Sequence, residues 1–218
     1  KYSMTDASQI KNALRKTLRL RRKLISLDQQ EETSKRIIQQ LYQFSFFKKA
    51  QHVALYWPFQ GEVDVTNLIG DLSEETHNKT AKKTPKKRWY LPLVSDAHRP
   101  WERQRLIFQP KIAGDPGIVN QYGIEEPTPD KKQEFNPYML DIVLMPLLGF
   151  DRKGNRLGMG KGYYDRTFGR AWRKPKLIGL AHADQECEGL IQEDWDVSLD
   201  LIVTENEWID CAEKKSSL

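Results

Sequence analysis

Residues 141–150 read DIVLMPLLGF, and this segment predicts the central strand of an α/β domain. Its apolar residues are continuous rather than alternating, which is typical of a strand whose two faces are both covered. The run is too short to span a bilayer, which requires roughly 20 consecutive apolar residues. We therefore expect a buried, parallel strand and no association with a membrane.

Shorter apolar segments on either side of this run predict further strands. They read HVALYWP at 52–58, RWYLPLV at 88–94, RLIFQ at 105–109, KLIGLA at 176–181 and DLIVT at 200–204. Helical segments alternate with them. One helix is predicted from an N-cap at Ser8 to about Leu24, and a capping box at Ser26 starts a second helix that runs to about Gln43.

Strands that alternate with helices indicate an α/β fold with a mostly parallel sheet. No repeat or linker divides the chain, so we expect one domain over residues 1–218. Its ordered core covers about 8–210, and the last residues, EKKSSL, form a frayed tail. Hydrophobic residues make up 39% and charged residues 30%, which is an ordinary composition for a folded, soluble protein.

The cysteines and the first residues indicate the cellular compartment. Cys187 and Cys211 are far apart and lack metal-site spacing. The segment KYSMTDASQ at the start has no apolar region of the kind found in secretory signals. We interpret both cysteines as reduced thiols of a cytoplasmic protein.

The net charge of +5 is unevenly distributed along the chain. Residues 11–23 and 82–88 are basic, whereas residues 185–210 are rich in acids. One face of the first predicted helix carries Lys11, Arg15, Arg19 and Lys23. Like charges at this spacing repel by roughly 0.2 to 0.5 kcal/mol per pair. The stripe therefore indicates either an anionic partner, such as a nucleic acid or a nucleotide, or a solvated cationic face.

A glycine-rich loop follows the central apolar run, where residues 156–166 read RLGMGKGYYDR. Backbone N–H groups of such a loop, entering a helix, form a nest for anions. Its position after a strand of an α/β sheet is where ligands bind in these folds. The G-x-G-x-G spacing fits neither the Walker A loop nor the dinucleotide fingerprint. The loop is therefore a phosphate site of another kind, or none.

Charged side chains accompany the glycines of this loop. Arg156, Lys161 and Arg166 would surround a bound phosphate with positive charge. Asp165 falls in the first turn of the expected helix. It either binds Mg²⁺, which takes one or two carboxylates plus substrate phosphates, or caps the helix.

With the apolar run before it, GNRLGMGKGYYDR resembles the signature of the 5-formyltetrahydrofolate cyclo-ligases, also called methenyltetrahydrofolate synthetases. That signature is an apolar strand, Phe-Asp, and then R-L-G-x-G-x-G-[YF]-Y-D-R, and every fixed position matches. Other segments resemble the family in the same order along the chain. They read KNALR at 11–15, YWPFQGEVDV at 56–65, YGIEEP at 122–127, IGLAHADQ at 178–185 and WDVSLDLIVTE at 195–205.

The chain departs from the family pattern in three places. Leu93 follows Pro92 where many members have Pro-Arg, so no catalytic cation is assigned there. The insert at 76–88 is longer than usual. Trp195 stands where a histidine is common. None of these departures lies in the glycine-rich loop.

The resemblance implies an enzyme that converts 5-formyltetrahydrofolate to 5,10-methenyltetrahydrofolate, with ATP as co-substrate and Mg²⁺ as cofactor. It implies a three-layer fold similar to that of ribose-5-phosphate isomerase and the CoA transferases. We expect small-molecule substrates, no nucleic-acid partner, and a monomer in the cytoplasm.

The resemblance also implies roles for individual residues. Lys161 would stabilise the γ-phosphate, with Arg156 as a second catalytic cation. The residues implied for ATP binding are Lys11, Arg15, Arg156, Leu157, Gly158, Met159, Gly160, Lys161, Gly162, Tyr163, Tyr164 and Asp165, the last also as the Mg²⁺ ligand. The residues implied for folate binding are Glu62, Phe59, Tyr122 and Tyr163. Each polar residue has a plainer alternative, as a solvated surface charge or a helix cap.

Two other functions stay open at this stage. One is a nucleic-acid-binding module that uses the basic segments, although none of the usual module signatures is present. The other is a sugar-phosphate isomerase or a CoA transferase on the same fold, which would need no ATP.

Overall fold

The computed structural model of the chain describes residues 4–70, 87–94, 105–111, 117–119, 125–169 and 174–211. Its α-helices are α1 (Met4–Lys23), α2 (Leu27–Leu41), α3 (Ser45–Lys49), α4 (Asn67–Gly70) and α5 (Tyr163–Phe168). Short 3₁₀ turns cover Lys131–Gln133, Pro137–Met139 and Ala183–Gln185. The strands are β1 (His52–Ala54), β2 (Arg88–Val94), β3 (Leu106–Lys111), β4 (Ile118–Val119), β5 (Glu125–Glu126), β6 (Ile142–Pro146), β7 (Gly149–Phe150), β8 (Arg156–Leu157), β9 (Lys176–Leu180), β10 (Leu201–Val203) and β11 (Trp208–Asp210).

The main sheet has the strand order β11-β10-β9-β6-β1-β2-β3. Its inner strands, from β10 to β2, run parallel, whereas the edge strands β3 and β11 are antiparallel to their neighbours. The strands β4 and β5, and likewise β7 and β8, form small antiparallel pairs. The predicted α/β fold with a mostly parallel sheet is therefore confirmed, with β6 at the middle of the sheet.

The residues of β6 show why the domain has three layers. Ile142 and Leu144 belong to the apolar cluster that α2, α3 and α4 cover on one face of the sheet. Val143 and Met145 belong to the cluster that includes Phe168 of α5 on the other face. Because successive side chains of a strand point to opposite faces, a continuous apolar run requires cover on both sides.

Of the two helix starts predicted from the sequence, one is wrong and one is confirmed. The N-cap prediction at Ser8 is wrong, because α1 begins at Met4 and Ser8 lies inside the helix. The capping box of α2 is confirmed: the Ser26 side chain accepts the Gln29 N–H at 3.3 Å, and the Gln29 side chain accepts the Ser26 N–H at 3.0 Å. In the described part of the chain, every helix is too short or too polar to cross a membrane.

The order of the strands creates a crevice at one edge of the sheet. From β1 the chain moves to β2 on one side and later to β6 on the other, so the strand order reverses between β1 and β6. In open α/β sheets, ligands bind beyond the carboxyl ends of the strands at such a switch point. The helix α1 lies against this edge, where its buried Leu18 packs against Leu148 and Leu157.

Candidate active site

A short hairpin between β7 and β8 leads the chain from β6 into the glycine-rich loop. At its turn the Asp151 carboxylate accepts hydrogen bonds from the backbone N–H groups of Lys153 and Asn155, at 2.9 and 3.0 Å. Gly154 has a φ of +88°, and a Cβ atom there would lie 2.8 Å from the carbonyl oxygen of Leu199. The packed turn therefore fixes where the loop begins.

The glycines of the loop meet two different requirements. Gly160 and Gly162 have φ values of +97° and +64°, which side-chain-bearing residues rarely adopt. Gly162 is also the residue that precedes the first turn of α5. A Cβ atom on Gly160 would lie 3.4 Å from the guanidinium carbon of Arg15. Glycine is therefore needed at position 160 for its conformation, whereas the space beside Arg15 would admit a Cβ atom.

The basic face of α1 contacts the loop. Arg15 Nε donates to the carbonyl oxygen of Gly158 at 3.0 Å, and Arg19 Nη2 lies 3.5 Å from that of Met159. Partial burial is the main cause that lowers the pKa of Arg15. A purely solvated face, one of the two alternatives for this stripe, is therefore excluded for Arg15. Its contact with ATP stays a prediction.

The two lysines predicted to bind ATP have different surroundings. Lys11 Nζ lies 2.9 Å from Asp196 Oδ2 and 3.8 Å from a Glu193 oxygen, and its side chain is 15% exposed. The side chain of Lys161 is exposed and makes no hydrogen bond or ion pair with any described residue. Its backbone carbonyl accepts a bond from Arg166 Nη1 at 2.7 Å. Lys161 is therefore available to an anion, whereas Lys11 already has acidic partners.

An ion pair joins the two ends of the loop. Arg156 Nη2 donates to Asp165 Oδ1 at 2.5 Å, and the same oxygen accepts the Val197 N–H at 3.0 Å. The side chains of Arg156 and Asp165 are 6% and 16% exposed. Arg156 Nε is buried and has no hydrogen-bond partner among the described residues. A buried donor without a partner is costly, so an acceptor from a ligand would be favourable here.

The loop after β1 carries a buried acid. Gln60 and Gly61 have φ values of +51° and +78°, and this bend brings Glu62 back to accept the Phe59 N–H at 3.1 Å. Glu62 Oε1 lies 3.5 Å from Arg22 Nη1, and the two side chains are 8% and 2% exposed. Burial raises the pKa of Glu62 to about 7, although Arg22 and the Phe59 N–H act in the opposite direction.

Tyrosine side chains lie around Glu62 and the loop. The Tyr56 hydroxyl donates to the carbonyl oxygen of Val63 at 2.7 Å. Burial and the nearby Glu62 raise the pKa values of both Tyr56 and Tyr164, so both are neutral phenols at ordinary pH. The Arg166 guanidinium lies 5.1 Å from the ring centre of Tyr163. Tyr163 and Tyr164 both pack against the core.

The structure also shows residues that the sequence analysis missed. Arg22 lies seven positions after Arg15, a spacing that places both residues on the same helix face. The sequence prediction counted the basic face in steps of four residues, and therefore included the exposed Lys23 instead of Arg22. His182 Nε2 lies 3.1 Å from the carbonyl oxygen of Gly61. No local pattern singled out this histidine, because its role depends on the packing of distant loops. Of the predicted folate residues, Phe59 adjoins Glu62, and Tyr122 lies outside the described residues.

The fold and the site define an α/β protein whose crevice combines a cationic glycine-rich loop with a buried carboxyl group. Residues 7–205 match the model of the 5-formyltetrahydrofolate cyclo-ligase family. The chain is 35% identical over 198 residues to the 5-formyltetrahydrofolate cyclo-ligase of Haemophilus influenzae, covering 89% of this chain and 96% of that one. It is 32% identical over 196 residues to the Escherichia coli K12 enzyme of the same name, covering 88% and 100%. The chain therefore belongs to the 5-formyltetrahydrofolate cyclo-ligase family, as the signature predicted.

Solved structures agree with this assignment. The 5,10-methenyltetrahydrofolate synthetase of Aquifex aeolicus superimposes with a TM-score of 0.73 at 30% identity, over 93% of each chain. The synthetase of Mycoplasma pneumoniae superimposes with a TM-score of 0.65 at 29% identity, over 89% of this chain and 98% of that one. These comparisons support the cyclo-ligase interpretation, and they give no support to a nucleic-acid-binding module or to an isomerase or CoA transferase.

Proposed function

We propose that the chain catalyses the ATP- and Mg²⁺-dependent conversion of 5-formyltetrahydrofolate to 5,10-methenyltetrahydrofolate. The observation that carries this proposal is that a cationic loop and a buried carboxyl group follow two neighbouring strands of the sheet. The glycine-rich loop, with Lys161 exposed on it, follows β6, and the buried Glu62 follows the neighbouring β1. A reaction between a triphosphate and a folate requires a cationic and an acidic subsite side by side.

The chemistry explains the need for ATP. Ring closure must expel the formyl oxygen, and an amide oxygen is a poor leaving group. Transfer of the γ-phosphoryl group of ATP to this oxygen forms a P–O bond and releases ADP. N10 then attacks the activated carbon and loses its proton, and inorganic phosphate leaves with the C–O bonding electrons. Catalysis of such a transfer consists mainly of positioning and of neutralising the charge on the phosphoryl oxygens.

The loop residues divide this work between binding and catalysis. Backbone N–H groups around Gly160 and Gly162 would hold the triphosphate, in a conformation that Arg15 supports from α1. Lys161 has no competing partner in the described part of the chain, so its ammonium group is free to follow the γ-phosphoryl group. Arg156 is held by Asp165 and would direct its unpartnered Nε towards an oxygen of the substrate.

Glu62 would bind the pterin ring of the folate. The N–H groups of a pterin are donors, and a carboxylate is an acceptor-only group with two oxygens. The Phe59 N–H donates to this acid, and its aromatic ring would pack against the pterin. Tyr163 directly follows the glycine-rich loop and would line one of the two subsites.

The residues present fit Mg²⁺ as an ion shared with the triphosphate. Both hydrogen bonds that Asp165 makes with described residues end on Oδ1, so Oδ2 remains for a metal. Within the described ranges no three His, Cys, Asp or Glu side chains are grouped to hold a metal by themselves. Mg²⁺ commonly binds through one carboxylate plus substrate phosphates and waters. When bound there, it would supply further neutralisation of the phosphate charge.

One assay tests the proposal directly. The purified protein is mixed with 5-formyltetrahydrofolate, ATP and Mg²⁺, and the near-UV absorption of methenyltetrahydrofolate is followed. We expect the absorption to appear only when ATP and Mg²⁺ are both present, with one ADP formed per product. Absence of the band in the complete mixture, from protein that is folded by circular dichroism, would overturn the proposal. ATP hydrolysis without folate would point to a different acceptor.

We also propose that the enzyme acts as a monomer in the cytoplasm. Both subsites are assigned to residues of a single chain, and neither Cys187 nor Cys211 forms a disulfide bond in the described part of the chain. Light scattering on the purified protein measures the mass, and 25.5 kDa is the value expected for one chain.

A further inference from the structure

Arg22 is the most deeply buried cation among the described residues, yet the activity proposed above assigns it no role. Its side chain is 2% exposed, in the last turn of α1. Nη1 lies 3.5 Å from Glu62 Oε1 and donates to the carbonyl oxygen of Leu147 at 3.3 Å, whereas Nη2 has no hydrogen-bond partner in the described chain. A buried charge without full compensation is destabilising, so its presence calls for a functional reason.

We propose that Arg22 is a positioning residue for the folate subsite, which holds the Glu62 carboxyl group in place and favours its charged form. Arg22 acts through Glu62 and does not itself touch the substrate, because its guanidinium is closed off from the crevice. The inference rests on the proposed function in that Glu62 is taken as the folate-binding acid.

The contacts around the loop after β1 support this role. His182 Nε2 contacts the Gly61 carbonyl oxygen at 3.1 Å, and Gln185 Nε2 donates to the carbonyl of Leu147, which also accepts from Arg22. The Glu62 side chain therefore contacts α1, and the backbone of its loop contacts the segment after β9 at Gly61. In the loop carrying Glu62, the non-glycine residue Gln60 has a φ of +51°, a conformation that persists where the surrounding structure supports it.

Charged and titratable groups from several elements surround the Arg22–Glu62 pair. Those that interact with one member of the pair are Arg19 from α1, Tyr56 from the segment after β1, Tyr164 from α5 and His182 from the segment after β9, and Asp64 lies near Tyr56. Burial lowers the pKa of His182, and both tyrosines are neutral, so Arg22 is the cation that opposes the burial of Glu62. Without Arg22, the pKa of Glu62 would rise further, because burial would act with no cation to oppose it.

The same helix therefore organises both substrate loops. Arg15 holds the glycine-rich loop at Gly158, and Arg22, about two turns further along the same face, holds Glu62. A rigid helix between them fixes the distance from the phosphoryl donor to the folate.

The first test follows the ionisation of Glu62 without any substrate. The carbonyl stretch of a protonated carboxyl group is measured by infrared spectroscopy across a pH series, with Glu62→Gln as the blank. An opposite charge within about 4–6 Å lowers the pKa of a carboxyl group by about 1–3 units, so Arg22→Met should move the titration of Glu62 upward by about that amount. Arg22→Lys should move it less. An unchanged titration in Arg22→Met would overturn the proposal.

The second test measures KM for 5-formyltetrahydrofolate against pH. In Arg22→Met, KM should rise at neutral pH and recover as the pH increases, while KM for ATP stays within about twofold of wild type. In the Glu62→Gln background, adding Arg22→Met should change the folate KM no further, because Arg22 acts through Glu62. An additional increase of about tenfold in the double variant would show that Arg22 contributes independently, and would overturn the proposal.

The controls distinguish a failure of this inference from misfolding of a variant and from a failure of the proposed function. Arg21→Met removes an exposed cation from the adjacent position and should leave both titrations unchanged. If Arg22→Met does not fold, Arg22→Lys carries the infrared titration. The double variant, in which no buried charge is left unpaired, still carries the comparison of folate KM with Glu62→Gln. If the wild-type enzyme has no cyclo-ligase activity, the proposed function fails, and the infrared titration still tests whether Arg22 sets the ionisation of Glu62.

Discussion

Lys161→Ala separates catalysis from stability more cleanly than any other substitution in the loop. The Lys161 side chain is exposed and makes no hydrogen bond or ion pair in the described part of the chain. The loop is instead shaped by its glycine conformations, by Arg15 on Gly158 and by Arg166 on the Lys161 carbonyl, all of which remain in the variant. The free energy of unfolding should therefore change by less than about 0.5 kcal/mol, as for other surface substitutions.

The catalytic effect should be large, because a group that follows the γ-phosphoryl group binds the transition state more tightly than it binds ATP. Loss of one such preorganised donor costs about 2.7 to 4 kcal/mol, which corresponds to a decrease of about 10²- to 10³-fold in kcat. KM for ATP should change little, since the backbone and Arg156 remain. Lys161→Arg should recover only part of the rate, because its planar fork differs from a compact ammonium group.

The assay is the initial rate of methenyltetrahydrofolate formation at saturating ATP and folate, with thermal unfolding measured on the same samples. Lys153→Ala is the matched control, since Lys153 is an exposed lysine on the hairpin that precedes the loop. If Lys161→Ala retains kcat within about threefold of wild type, its charge does not act in the transition state. Arg156 would then be the better candidate.

Three other substitutions test separate parts of the structure. Asp165→Asn should raise the Mg²⁺ concentration needed for half-maximal turnover while leaving the folate KM near wild type, because it removes a charge beside the metal. An unchanged Mg²⁺ titration would show that Asp165 is not a ligand, and Asp194→Asn, at an exposed position, is the control. Gly154→Ala should destabilise the protein by about 1–3 kcal/mol more than Gly189→Ala. Both glycines have positive φ, but only Gly154 has atoms within 2.8 Å of an added Cβ. Equal decreases in the free energy of unfolding, measured by chemical denaturation, would contradict the packing described for the hairpin. The pKa of Glu62 is raised from 4.5 to about 7 in the folded protein, so the folded state binds more protons and its stability should fall as the pH rises through this window. The Glu62→Gln variant should lack this component, which amounts to at most about 3 kcal/mol, and parallel stability curves for the two proteins between these pH values would refute it.

Much of the fold and part of the site could be predicted from local patterns. The apolar run at 141–150 predicts a strand covered on both faces, and β6 is the middle strand of the sheet. The capping box at Ser26 predicts the start of α2, because the residues it requires lie within one turn of each other. The spacing of glycines, cations and an acid at 156–166 predicts the family and the loop, since glycines at 160 and 162 permit the positive φ values that the loop adopts. By contrast, the predicted start of α1 at Ser8 is wrong, because the sequence alone does not distinguish a serine inside a helix from a serine at its N-cap.

The partners of the charged side chains depended on the tertiary structure. Lys11 lies next to Asp196, at a separation of 185 residues, and Arg15 reaches Gly158 across 143 residues. Arg22 meets Glu62 only because α1 lies across the carboxyl ends of β1 and β6, which are neighbours through the reversal of strand order. The sequence shows the charge of these residues and their positions on the helix. The identity of each partner, and its distance, depend on how the helices and strands pack. The protonation of Glu62 is decided in the same way, because burial and a nearby cation are properties of the assembled crevice rather than of the segment that carries the acid.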